Sequence, residues 1–345
     1  MRWGRRARWP SASRSTRPLA NLARVSPRAR TTLLVAGLAA AAAVAVAAAA
    51  VWSAEEVEPD TTAAAERQPR AGFPPLAISL GLRQDAESDD LRQASSLYEA
   101  GKHEAARRIF GRHDSLEAKL GAAFADWPRS ENRIEQLGAL YPRSALVQLH
   151  VGLARFWGGT DGAVTAWREA REVEPDTPYA VRADDFLHAG RFAPGRPTFT
   201  PSFTFRIEGA TLAEQLDTVV ADRSLRGRLL LGVLLQRLER PVSAARAFAE
   251  ALTLAPDNVD ALVADAVGRY DKSNPSAAFS RLGPLTRRFP DAASPRFHLG
   301  LLLLWQRDLK EAERQLELAR AAQPGSRIAS ESARFLRAIR KAGSD

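Results

Sequence analysis

Cysteine is absent from this 345-residue chain. That removes disulfides, iron–sulfur clusters and thiolate zinc sites, and leaves the redox compartment open. Histidine is scarce, at five residues. Asp184 and His188, four apart and on one helical face, are the nearest approach to a metal pair, and a solvated face is the plainer reading of them. There is no glycine-rich phosphate loop, no nucleophile elbow and no metalloprotease helix. Those absences point away from an enzyme, and the chain is expected to hold no cofactor, no metal and no small-molecule substrate.

Charge is present but unevenly placed. The formal net charge is +9. Residues 1–30 hold Arg2, Arg5, Arg6, Arg8, Arg14, Arg17, Arg24, Arg28 and Arg30 with no acid, so the remainder carries 40 basic and 40 acidic residues. A neutral body with a basic tail argues against nucleic-acid binding by the folded part.

Thr31 to Trp52 is 22 residues without a charge. As a helix it is about 33 Å long, enough to span a bilayer core. Arginines precede it; Glu55, Glu56, Glu58 and Asp60 follow. The excess of positive charge on one side predicts a cytoplasmic tail at 1–30, a single-pass signal-anchor in the cell membrane at 31–52, and everything beyond on the outer side. A signal peptide cleaved near Ala48 to Ala50 is the competing reading, and a soluble alanine-rich helix a third. Residues 53–87, rich in Ala, Glu, Pro and Thr, read as a flexible linker.

Beyond the linker the sequence repeats. Pro256, Pro290 and Pro324 recur at 34-residue intervals, each closing a helix-like run. Leu231, Gly232, Ala244, Phe248 and Ala251 precede the first; Leu299, Gly300, Ala312, Leu316 and Ala319 hold the same offsets before the last. Between them Ala266, Ala278, Leu282 and Leu285 keep the register more loosely. Earlier units carry Leu97, Gly101, Ala106 and Phe110, and Gly152, Ala163, Trp167, Ala170 and Pro175. This pattern resembles the tetratricopeptide (TPR) superfamily, whose unit is a pair of antiparallel helices that cannot bury its apolar stripe alone.

The resemblance implies an all-α, right-handed solenoid: a first TPR block at 88–190, a second at 211–324, and a capping helix and tail at 325–345. Residues 191–210 interrupt it with Pro194, Pro197 and Pro201 and the alternation Thr198-Phe199-Thr200 and Phe203-Thr204-Phe205. They are expected to be an extended insertion within the fourth repeat, either a surface loop or a segment that caps the groove or recruits a partner.

In TPR proteins the first helix of each unit lines a concave groove. The residues this assigns here are His150, Phe156, Trp157, Arg226, Val233, Gln236, Arg237, Asp260, Val267, Tyr270, Asp271, Phe297, His298, Leu301, Leu304 and Trp305. Leu149-His150-x-Gly152 and Phe297-His298-x-Gly300 repeat one signature. The groove would take a peptide or helix of a partner protein on aromatic anchors; as plain core residues, both histidines would instead be satisfied and buried. The basic and amide clamp of chaperone-binding relatives is missing, since Asp260 and Val263 stand in its place. The layout resembles membrane-anchored bacterial TPR factors of translocation, cytochrome maturation or envelope assembly, and implies a scaffold. A sensor using the basic tail on nucleic acid or anionic lipid is the alternative.

Overall fold

A computed structural model of the chain describes residues 68–205 and 211–342, and its regular structure there is all helical. The tail at 1–30, the apolar run at 31–52 and the linker as far as residue 67 lie outside the described residues, as do 206–210 and 343–345. Among the described residues no helix is long and apolar enough to cross a membrane.

The first block pairs α1 (Ala86–Glu99) with α2 (His103–Phe110), α3 (Leu116–Phe124) with α4 (Glu131–Leu140), and α5 (Ala145–Gly158) with α6 (Ala163–Val173); α7 (Pro178–Leu187) closes it. The second opens with α8 (Leu212–Val220). It then pairs α9 (Leu225–Arg237) with α10 (Pro241–Leu254), α11 (Val259–Gly268) with α12 (Ser276–Arg288), and α13 (Ala293–Trp305) with α14 (Leu309–Ala322), and α15 (Arg327–Ala342) closes it. First helices stack on first helices, α1 through α7 and α9 through α15, as in a TPR-like solenoid.

Local chemistry sets the boundaries. Asp85, Ser115, Ser144, Thr177, Thr211, Ser224 and Asn258 each accept a hydrogen bond from the amide three residues on, satisfying a free N–H of the first turn. At the other end, Tyr141, Glu174, Ala255, Phe289 and Gln323 each precede a proline and leave the helical region, with ψ between 58° and 80°. The proline ring excludes the α conformation from the residue before it. Within hairpins, a Cβ on Gly232 would lie 2.1 Å from Phe248 Cε1, and one on Gly152 would lie 2.3 Å from Trp167 Nε1. Only glycine admits these rings.

One expectation is corrected. The sequence joins α7 and α8 as the two helices of a single split repeat, yet they do not touch. Packing overrides the period: α7 lies on α5 and α6, whereas Val219 of α8 clusters with Leu230 and Leu234 of α9. The described residues therefore form two blocks, each with three hairpins. Between them, Lys272, 2% exposed, is ion-paired with Asp185, and Asp176 receives the Val242 and Ser243 amides at 2.8 and 3.0 Å.

Candidate peptide grooves

Each block carries an extended stretch of its own chain across the face made by its first helices. Strap 1 is residues 69–82, read from sequence as linker; strap 2 is residues 192–205, the insertion. Proline and glycine hide the strap character in both. Proline withholds a ladder donor and glycine weakens a strand, but the amides left between the prolines can bond to side chains.

The groove holds both straps by the same atoms. The Arg70 amide donates to Trp157 O at 2.7 Å, and the Ala193 amide to Trp305 O at 2.9 Å. Seven residues on, the Ala77 amide donates to His150 Nε2 at 3.2 Å and the Thr200 amide to His298 Nε2 at 2.9 Å. Both steps keep one offset of 123 residues. Gly72 and Gly195 share that register and a left-handed backbone, with φ of 84° and 72°. Pro74 matches Pro197, and Ser79 matches Ser202.

The histidine tautomer follows from geometry. Nδ1 lies 2.7 Å from the carbonyl four residues back, Leu146 O for His150 and Ser294 O for His298, so Nδ1 carries the proton and Nε2 accepts. Both rings are fully buried. Burial pushes each down to about 4; the backbone bond works against this, and for His150 the Arg182 charge adds to it.

Around these anchors each groove differs. In the first, the Ser79 amide and carbonyl both meet the Tyr179 hydroxyl, at 3.2 and 3.0 Å, and the Tyr98 hydroxyl donates to Pro74 O. The Arg70 guanidinium lies 3.8 Å above the Phe156 ring. In the second, the Phe199 amide donates to Gln236 Oε1 at 2.8 Å, and the Ser202 amide and hydroxyl donate to Asp260 Oδ2 at 3.0 and 2.7 Å. Burial raises the Asp260 carboxyl, opposed by the Ser202 bonds. Phe199 stacks on His298 at 5.2 Å and meets Phe248 edge-on at 5.4 Å. Arg226 donates to Thr204 O at 2.7 Å and covers the Phe203 ring, while Arg327 donates to Phe203 O and covers Phe205.

Of the residues assigned from sequence, His150, Phe156, Trp157, Arg226, Gln236, Asp260, His298 and Trp305 therefore meet a strap directly. Val233, Val267 and Tyr270 are buried in the apolar cluster that also contains Phe199. Burial pushes the Tyr270 hydroxyl up to about 12, and the charge of Arg196 in strap 2 opposes that. Arg237 and Asp271 are exposed at the rim. Phe297, Leu301 and Leu304 do not line the groove: they pack with Ile328 and Leu336 of α15, and Phe297 meets Phe335 at 5.9 Å. A buried first helix has neighbours on both flanks, and these three side chains point along the stack. Tyr98, Tyr179 and Arg327 were missed. Tyr179 and Arg327 stand at the start of the closing helices, which the repeat pattern does not count as groove.

No family model matches the sequence, and no curated protein matches it significantly. Among solved structures the chain is similar to YrrB, a TPR protein with an unusual peptide-binding site: 14% identity and a TM-score of 0.29, over 59% of this chain and 99% of that one. It is similar to yeast Tom70 at 14% identity and a TM-score of 0.29, over 88% and 56%. A third likeness is to the APC/C hetero-tetramer Cut9–Hcn1, at 14% identity and a TM-score of 0.30, over 72% and 55%. The chain spans about half the length of the latter two. The TPR-like description rests on this chain's own hairpin stacking and 34-residue register.

Proposed function

We propose that this chain is a non-catalytic scaffold that holds segments of partner proteins against the inner faces of its two helical blocks. One observation carries the reading: both faces already hold extended chain, in one register, through backbone amides that any sequence other than proline offers. A surface that binds main chain by fixed side-chain acceptors is suited to peptide recognition. The uncharged run at 31–52, with arginines before it and acids after it, supports a membrane tether with the blocks on the outer side.

The test places a photo-crosslinker at the exposed rim residues Arg237 and Asp271 in cells, and a reporter at the carboxyl terminus. Partners trapped at the rim, lost when Arg226→Ala and Tyr270→Ala are introduced, with an extracytoplasmic reporter signal, are the expected result. Partners that stay unchanged in those variants overturn the scaffold reading, and a cytoplasmic signal overturns the tether.

A further inference from the structure

The two straps fit their grooves unequally. Strap 2 carries Phe199, Phe203 and Phe205, with Phe199 only 2% exposed. In the shared register strap 1 has Leu76, Leu80 and Leu82. The place of Gln236, counted from the helix N-cap, is taken in α1 by Leu97, which offers the strap no acceptor. Strap 1 buries only Pro74 and Ala77, with Leu76, Ile78 and Leu80 half-buried against the core of its block, whereas strap 2 buries Phe192, Pro197, Phe199 and Pro201. A cleft of about 260 Å³ separates strap and α1, lined by Ile78, Leu80 and Gly81 on one side and Arg92, Ser95 and Glu99 on the other. The Ser95 hydroxyl is buried with no hydrogen-bond partner.

One position is already compensated. Phe124 of α3 lies edge-on to His150 at 4.9 Å, where the second block has the smaller Val267 and lets the strap supply the ring with Phe199. The first groove thus has no room for an aromatic at Leu76, while the cleft beside Leu80 has room to spare.

We infer that the first groove is a site for an extended segment of a partner protein, and that strap 1 is the weaker occupant it displaces. This rests on the scaffold reading above and names the ligand. The segment has glycine, then proline two residues on, an aliphatic side chain at the fourth position after the glycine and a free amide at the fifth. Serine follows at the seventh, and aromatic side chains stand at the eighth, beside the cleft that Leu80 leaves open, and at the tenth, where strap 2 has Phe205. Such rings bury more surface than leucine against a groove wall that is otherwise already built by α1 to α7. Displacement leaves that helical core whole.

The probe is a fluorescein-labelled synthetic peptide of residues 69–82 with phenylalanine at the places of Leu80 and Leu82, read by anisotropy against the full chain. Ala77→Pro in the chain removes the amide that His150 accepts and so loosens the strap. The expected result is that this variant binds the probe at least about tenfold tighter than the unmodified chain. The probe should also outcompete the unmodified 69–82 peptide, and a probe with proline at the place of Ala77 should not bind. Equal affinity for both chains, or binding of the proline probe, overturns the inference. Circular dichroism and gel filtration check folding, and Leu80→Ser provides a second loosened strap with its backbone intact. If no peptide binds either variant while crosslinks at Arg237 and Asp271 persist, displacement falls and the scaffold reading stands; loss of both removes both.

Discussion

His150 and His298, 148 residues apart, make the same two hydrogen bonds: each donates to the carbonyl one turn back and accepts a strap amide. Protonation of either ring turns the acceptor facing that amide into a donor. Each is neutral in the folded chain down to about pH 4, whereas in the unfolded chain it takes up a proton near its ordinary value of 6.5. The unfolded state therefore binds more protons between those limits, and stability falls as pH drops through them. Asp185 and Asp260, raised by burial, act in the opposite direction. From about pH 7.5 to about pH 5 the histidines should remove about 2 kcal/mol each, measured by urea unfolding. The double variant His150→Ala and His298→Ala should lose most of this dependence; an unchanged slope would count against the assignment.

Phe199 should be the energetic centre of strap 2. Phe199→Ala is expected to cost about 3 to 5 kcal/mol, whereas Thr198→Ala, at an exposed neighbour, should change stability by under about 0.5 kcal/mol. Urea midpoints for the two variants check the contrast. Equal effects would mean the strap is held by its backbone alone.

Gly232 sits against the Phe248 ring, with no room for a methyl group. Gly232→Ala should destabilise by about 1 to 3 kcal/mol through overpacking. Adding Phe248→Leu should cost less in this background than in the wild type, because the two sites are coupled. A strictly additive double-mutant cycle would show that the helices relax apart instead.

Lys272 is buried and paired with Asp185, which also receives the Gly195 amide at 2.9 Å. Lys272→Ala leaves a buried carboxylate without its cation, an expected loss of about 3 to 5 kcal/mol. Lys272→Met combined with Asp185→Leu should lose less. Limited proteolysis within 188–211, monitored alongside unfolding, would report whether the junction opens first; no change in cleavage would place the damage elsewhere.

The hairpins were legible because their physics is written in side chains: a small residue where helices touch, a ring or leucine in the wedge, a proline at the stop. The paired His150 and His298 signatures were legible for the same reason, and the reading of both as satisfied, buried residues matches their full burial, with each also accepting a strap amide. The straps were not, since what fixes Ala77 and Thr200 is a main-chain amide common to every non-proline residue. Gly72-x-Pro74 therefore reads as linker, although its counterpart Gly195-x-Pro197 lies in the same register on an equivalent wall. The pairing of α7 with α8 failed for another reason. Periodicity counts residues, but apolar faces choose partners, and Val219 finds Leu230 and Leu234 in α9. Phe297 and Leu301 show the limit of helical-face arithmetic, which cannot tell the groove flank from the stacking flank.

Each strap precedes the histidine that receives it, by 73 residues for Ala77 and 98 for Thr200. On a ribosome adding about 5 to 20 residues per second, each stretch would wait roughly 4 to 20 seconds after its own synthesis before its receptor exists. During that interval a nascent chain presents an unhoused Gly-x-Pro segment to whatever surrounds the exit tunnel. Vectorial synthesis thus makes the last hairpin of each half, not the first, the event that completes it.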